Sequence, residues 1–150
     1  MKDTFNREIN YLRISVTDRC DLRCIYCMKE KMEFLPKSQI LSVEEINRIC
    51  SVFINLGIKK IRITGGEPLV RKGVPILLNY LGKKINNSNL EELTLTTNGT
   101  QLYKYAEVIK KNGIKRINVS LDTLDQKKYL KITRGGNLEQ VLEGLNIAKK

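Results

Sequence analysis

Cys20, Cys24 and Cys27 stand in a C-x3-C-x2-C run and account for three of the four cysteines in the chain. Thiolates this close in sequence can wrap one metal centre, and soft thiolate ligands suit an iron–sulfur cluster or zinc. Ligand number bears on the choice. A structural zinc site or a closed cluster takes four protein ligands, whereas three leave one iron of a cluster open to an exogenous ligand. Cys50 is the remaining cysteine, on the apolar face of a helix, where a small core side chain is the simpler role. Zinc with Cys50 as a distant fourth ligand is the competing reading. A disulfide needs an oxidising compartment, and nothing in the N-terminal MKDTFNREIN has the apolar stretch of a secretory leader.

The chain contains no histidine, which excludes Ser-His or Cys-His catalysis and His-bound zinc or haem within it. Chemistry here must come from cysteine, carboxylates, lysine, arginine or a cofactor. Lys and Arg number 27 against 16 Asp and Glu, a net charge of +11. Such an excess favours phosphate-bearing partners, although most of the lysines read as a solvated surface. Only nine aromatics occur, three Phe and six Tyr, and they form no basic–aromatic stripe of the kind that binds single-stranded nucleic acid.

The elements that must position the cysteines alternate between strand and helix patterns. Strands are expected at about 11–17, 60–64, 93–97 and 116–121, and helices near 74–85, 102–112, 125–131 and 138–149. Another helix opens at Ser42, where Glu45 three residues on completes a capping box, and closes at Gly57. Four βα units in succession predict a parallel sheet with right-handed crossovers. The strands alternate rather than run apolar throughout. Leu12, Ile14 and Val16 oppose Arg13, Ser15 and Thr17; Ile61 and Ile63 oppose Arg62 and Thr64. Leu93 and Leu95 oppose Thr94 and Thr96, and Ile117 and Val119 oppose Asn118 and Ser120. A doubly wound sheet needs apolar residues on both faces. A curved sheet with helices outside and a polar concave face fits better: an α/β fold, a partial (β/α) TIM-type barrel of about four units. Its chemistry belongs at the C-terminal strand ends, where the cysteine loop falls.

Arg13 and Arg62 project onto that polar face, where an unpaired guanidinium would be costly. A multiply charged phosphate chain would satisfy both through charge-assisted bonds. The alternative pairs them with Glu67 or Asp122 in a structural network. Lys60 and Arg71 could add to the same positive field. Gly65-Gly66-Glu67-Pro68 ends the second strand, where glycines let backbone approach a ligand closely, though a plain strand-to-helix turn would use the same residues.

The segment YLRISVTDRCDLRCIYCM, with IRITGGEPLVR (61–71), LTTNG (95–99) and INVSLD (117–122), resembles the radical S-adenosylmethionine (SAM) superfamily, and within it the GTP 3′,8-cyclase family of molybdenum cofactor biosynthesis. The upstream Asp3, Phe5, Arg7 and Tyr11-Leu12-Arg13 match the same pattern, so the likeness covers essentially the whole chain. The resemblance implies one [4Fe–4S] cluster on Cys20, Cys24 and Cys27 with an iron left open for SAM. It implies SAM contacts from Tyr26, Gly66 and Ser120, and GTP contacts from Arg13, Arg62 and Thr96. Lys60, Arg71 and Asn98 are weaker candidates, and Asp122 is as readily a turn former. The implied reaction uses a 5′-deoxyadenosyl radical to convert GTP into (8S)-3′,8-cyclo-7,8-dihydroguanosine 5′-triphosphate. Implied partners are an electron donor, a cyclic pyranopterin synthase acting on the product and a second copy in a homodimer, with neither nucleic acid nor membrane.

No run reaches the ~18–20 apolar residues that cross a bilayer, so the chain is expected in the cytoplasm. Members of that family continue beyond the equivalent of Lys150 with the rest of the barrel, a second cysteine triplet and a Gly-Gly tail. Residues 1–150 are therefore expected to be an incomplete radical SAM core domain, its activity in isolation open. Another radical SAM enzyme with a different substrate, or a non-enzymatic cysteine–metal module, would share the cysteine loop without needing Arg13 and Arg62.

Overall fold

A computed structural model describes residues 2–85 and 87–149. Four parallel strands lie side by side in chain order: β1 (Tyr11–Ser15), β2 (Lys60–Thr64), β3 (Glu92–Thr97) and β4 (Ile117–Val119). Among the described residues five α-helices accompany them: α1 (Val43–Asn55), α2 (Val74–Gly82), α3 (Leu102–Lys111), α4 (Gln126–Thr133) and α5 (Leu138–Ala148). Strand order equal to chain order, with a helix between each neighbouring pair, is the start of a (β/α) barrel rather than a doubly wound sheet.

The period-2 alternation of the strands becomes a division between two faces. Ile61, Ile63, Leu93 and Leu95 are wholly buried in one core with Ile46, Cys50 and Ile54 of α1, Leu77, Leu78 and Leu81 of α2, and Leu102 and Ile109 of α3. Cys50 is thus a core residue, its thiol pushed up to about 11 by burial. It lies in the core rather than with the other three cysteines. Opposite that core, the register sets Arg13 beside Arg62 and Arg62 beside Thr94.

Local signals fix the helix ends. At α1 the Ser42 hydroxyl accepts from Glu45 N–H at 3.1 Å while the Glu45 carboxylate accepts from Ser42 N–H at 2.7 Å, the expected capping box. Asp125 caps α4 and Asn137 caps α5 by accepting first-turn N–H groups, without the reciprocal bond. Gly57 and Gly113 take φ of +99° and +75°, stopping α1 and α3 where the sequence indicated.

The boundaries differ in places. β1 ends at Ser15, although Val16 N–H still bonds Thr64 O at 2.9 Å and both Val16 and Thr17 are buried. α2 stops at Gly82 rather than 85, and β4 holds three residues rather than six. Among the described residues β4 pairs with β3 alone, over Ile117–Val119. Two single turns of 3-10 helix, Lys37–Gln39 and Pro68–Val70, fall in segments read as loop. No helix among the described residues is long and apolar enough to cross a membrane.

Candidate functional site

The cysteine loop leaves the C-terminal end of β1 and is held from three directions. On the β2 side, Gly66 N–H bonds Thr17 O at 2.7 Å and Glu67 N–H bonds Arg19 O at 2.8 Å. The approach is close enough to require glycine: a Cβ at Gly66 would meet the Arg19 carbonyl and lie 2.8 Å from Asp18 O. On the α4 side, Arg23 N–H and Ile25 N–H bond Thr133 O and Ile132 O at 3.1 and 2.9 Å. Arg134, at φ +53°, closes α4 and turns its guanidinium back to Arg23 O and Met28 O. On the β3 side, Asp21 accepts from Thr100 Oγ1 at 2.6 Å, Asn98 Nδ2 at 2.8 Å and Gln101 Nε2 at 3.3 Å.

All three cysteines are free thiols, Cys20 and Cys24 half-buried and Cys27 exposed. Cys27 N–H and Met28 N–H both bond Cys24 O, a tight turn that brings the second and third cysteines together. Leu22 N–H points at Cys20 Sγ from 3.4 Å. Burial pushes the Cys20 thiol up, against the Leu22 N–H and with the charges of Asp21, Glu67 and Cys24; burial likewise raises Cys24. An electropositive group bound between them reverses that balance by stabilising the thiolates. Tyr129 adds an independent sign that something belongs here. Its hydroxyl is buried with no hydrogen-bond partner among the described residues, and it feels the charges of Cys24, Asp21, Asp122 and Cys20. Soft donors, an N–H aimed at sulfur and an unanswered hydroxyl fit a thiolate-bound cluster. No three Cys, Asp or Glu side chains among the described residues converge on a single-ion site. Thiolates that each bind a different iron of a cluster need no such convergence.

Glu67 is the polar centre of the loop ends. It is 0% exposed, and its carboxylate accepts from Thr97 Oγ1 at 2.8 Å, Asn98 N–H at 2.6 Å and Leu69 N–H at 3.0 Å. Burial outweighs these three donors and carries the carboxyl up to about 7. The sequence singled out the Gly-Gly-Glu-Pro run but read Glu67 as a possible partner for the arginines. It instead stitches the end of β2 to the end of β3. A carboxylate between Gly-Gly and Pro at a strand end, with Thr-Asn-Gly ending the next strand, is the signal that could have revealed this.

The polar face of the sheet carries a second group of unanswered donors. Arg62 Nε and Thr94 Oγ1, adjacent in register, are both buried without a hydrogen-bond partner among the described residues, and Thr94 is only 1% exposed. The Arg62 guanidinium lies 5.7 Å from the Tyr11 ring centroid. Arg13, beside it in register, is exposed. Neither arginine has a carboxylate partner among the described residues. Glu67 is engaged as above, and Asp122 accepts from the Tyr26 hydroxyl at 2.7 Å.

The other sequence candidates fall in different surroundings. Tyr26 is 67% exposed at the rim of the cysteine loop, and the hydrogen bond to Asp122 holds its phenol well above the ordinary value. Gly66 gives its N–H to Thr17, so the group it can offer a ligand is its carbonyl. Ser120 is exposed just beyond β4, its N–H bonded to Thr97 O at 2.9 Å. Thr96 is half-buried on β3 opposite Asn118. Lys60 sits 3.6 Å from Glu92 in a surface ion pair. Arg71 departs from the expected field of phosphate-facing cations: its guanidinium is committed to the carbonyls of Val16 and Leu41, tying β2's exit loop to the start of α1. Asn98 lies against the cysteine loop rather than on the open strand face. Asp21, Arg23, Tyr129 and Arg134 were not singled out by sequence, because their roles depend on contacts between distant segments.

Comparison with known proteins decides the family, since the Radical SAM superfamily matches residues 14–150. This chain is a radical SAM protein. Among curated relatives, a GTP 3′,8-cyclase of Bradyrhizobium diazoefficiens is 58% identical over 149 residues, covering 99% of this chain and 43% of that protein. One of Rhizobium etli is 58% identical over 150 residues, covering 100% and 43%. The radical SAM chain thus spans less than half the length of these relatives. Among solved structures, Streptococcus suis SuiB bound to S-adenosylmethionine superposes with a TM-score of 0.72 at 23% identity, over 90% of this chain and 30% of that one. The anSMEcpe protein with bound AdoMet gives 0.70 at 19%, over 93% and 40%. At such identities the structures establish a shared fold. Membership of the radical SAM family implies a [4Fe–4S] cluster and SAM.

Proposed function

We propose that this chain forms the SAM-cleaving half of a GTP 3′,8-cyclase, acting in molybdenum cofactor biosynthesis. One conjunction carries the reading. The chain is 58% identical to curated cyclases along its whole length, and on its polar face it sets Arg13 beside Arg62 with no carboxylate among the described residues to answer either. A triphosphate supplies the negative charge that such a pair lacks, and guanidinium forks match phosphate oxygens two at a time.

In this reading Cys20, Cys24 and Cys27 hold a [4Fe–4S] cluster, and the Gly66 carbonyl faces the ammonium of SAM as an acceptor. Tyr26 and Ser120 flank its adenosine. Arg13 and Arg62 orient GTP by its phosphates, while Thr96 offers a hydroxyl farther along the same face. The cluster and SAM supply the one-electron chemistry that begins ribose–C8 bond formation. No side chain here need act as a strong acid or base, consistent with a chain that has no histidine. An electron donor, a cyclic pyranopterin synthase receiving the product, a homodimeric partner and a cytoplasmic setting belong to the same proposal.

The test is anaerobic loading of the full chain with iron and sulfide, followed by reduction and addition of SAM with or without GTP. An iron–sulfur chromophore, release of 5′-deoxyadenosine and calorimetric binding of GTP are expected. Stoichiometric zinc with no chromophore would overturn the cofactor assignment. A loaded chain that cleaves SAM but binds no GTP would overturn the substrate.

A further inference from the structure

Asn98 follows β3 in a position where its backbone N–H and both polar atoms of its side-chain amide are engaged. Its backbone N–H bonds Glu67 Oε2 at 2.6 Å, and its Oδ1 accepts from Thr100 N–H at 3.0 Å. The Thr100 hydroxyl lies 2.8 Å from that same Oδ1 and 2.6 Å from Asp21 Oδ2, with one hydrogen to share between them. Asn98 Nδ2 donates to Asp21 Oδ1 at 2.8 Å and lies 3.7 Å from Cys20 Sγ. The orientation of the amide follows from these neighbours. Turned over, Oδ1 would face the Asp21 carboxylate and the NH2 would face the Thr100 N–H, two contacts of like polarity.

The Asp21 carboxylate is itself 3.9 Å from Cys20 Sγ. Once Cys20 is a metal-bound thiolate, two negative groups stand at that distance, and the Asn98 NH2 is the donor that reaches both. We infer that Asn98 is a positioning residue for the cluster, its side-chain amide bridging Asp21 and Cys20 so that the first thiolate is both aimed and partly neutralised. This assigns Asn98 away from SAM or GTP, and it rests on the proposed cluster at Cys20, Cys24 and Cys27. Hydrogen bonds to ligand sulfur stabilise the reduced, more negative cluster and so raise its potential. The bridge also gives Glu67 an indirect role: it makes no hydrogen bond to a cysteine among the described residues, but it holds the backbone N–H of Asn98, whose side chain reaches Cys20.

The test is a redox titration of the loaded full chain followed by electron paramagnetic resonance. Asn98→Ala is expected to load and to lose about tenfold in the equilibrium constant for cluster reduction, equal to 59 mV for one electron, in the negative direction. Gln101→Ala, which removes a 3.3 Å contact to Asp21 and nothing at sulfur, is expected to keep the wild-type potential. An Asn98→Ala protein that loads fully with an unchanged potential would overturn the assignment. Loss of loading with an unchanged melting temperature of the metal-free chain would support it. Loss of loading together with a lowered metal-free melting temperature would overturn it, leaving Asn98 a strut of the β3–α3 turn. A wild-type chain that takes up no cluster would overturn the cofactor reading itself, whereas wild type that loads beside an indifferent Asn98→Ala overturns only the role of Asn98.

Discussion

The Tyr26 hydroxyl donates to Asp122 across 96 residues of sequence, at 2.7 Å, joining the rim of the cysteine loop to the end of β4. This is the one side-chain hydrogen bond among the described residues that links the segment between the second and third cysteines to the far edge of the sheet. Tyr26→Phe keeps the ring and removes the link. Both partners are exposed, so the loss of stability should stay within about 1 kcal/mol. SAM binding should weaken by several-fold as the ring loses its anchor, measured by calorimetry on the loaded chain. Unchanged SAM affinity would place the ring away from the ligand.

The arginine pair predicts how nucleotide affinity depends on side-chain shape. Arg62→Lys keeps the charge but loses the fork, and should weaken GTP binding about tenfold or more, the scale of a charge-assisted hydrogen bond. Arg13→Lys should cost less, because Arg13 is exposed and free to rearrange. Equilibrium binding of GTP at two salt concentrations checks both. Equal losses for the two variants would contradict the difference in burial.

Glu67 predicts a pH dependence of stability. Its carboxyl titrates near 7 in the folded chain and near the ordinary 4.5 when unfolded, so between these values the folded state holds the extra proton. Stability from this group is therefore fully present below about 4.5 and is lost as pH rises through about 7, by up to about 3 kcal/mol. Glu67→Gln removes the titration while mispairing one of the three donors. It should be less stable than wild type at pH 5 by about 1–3 kcal/mol, and the gap should narrow by pH 8. Denaturant melts of the metal-free chain at the two pH values read this directly.

Gly66→Ala drives a Cβ into the Arg19 carbonyl, which is backbone and cannot swing aside. A loss of about 2 kcal/mol or more is expected, with cluster loading impaired. Ser42→Ala serves as a contrast. It removes the α1 cap at a cost of about 1 kcal/mol and should leave cluster loading intact, measured by iron content after reconstitution.

Much of this molecule is legible in its sequence because the decisive signals are local. The capping box at Ser42 and Glu45 and the stops at Gly57 and Gly113 each need only a few neighbouring residues. The alternation of Ile61, Arg62 and Ile63 likewise announced a sheet with one polar face. The cysteine run, too, is a local signal, and the superfamily it resembles is the one that matches residues 14–150. What could not be read is how side chains on separate segments meet. Arg71 has the composition of a phosphate ligand, yet two backbone carbonyls claim it. Glu67, read only in the alternative as a counter-ion for the arginines, is a buried clasp, since two of its donors come from Thr97 at the end of β3 and Asn98 just beyond it. Asp21 and Arg134 gave no periodic or motif signal, because each matters only through residues about 80 to 110 positions away.

The docking of the cysteine loop onto Ile132, Thr133 and Arg134 also has a consequence in time. A ribosome making about 5–20 residues per second delivers Arg134 roughly 6–22 s after Arg23, its hydrogen-bond partner 111 residues earlier. For that interval the loop bearing Cys20, Cys24 and Cys27 exists while the α4 surface that docks it has not been made. The order of synthesis thus separates the appearance of the three thiols from the appearance of the contacts that order their loop. On the proposed cluster reading, capture of iron and sulfide waits for α4, and until then three neighbouring thiols lack the contacts that order their loop.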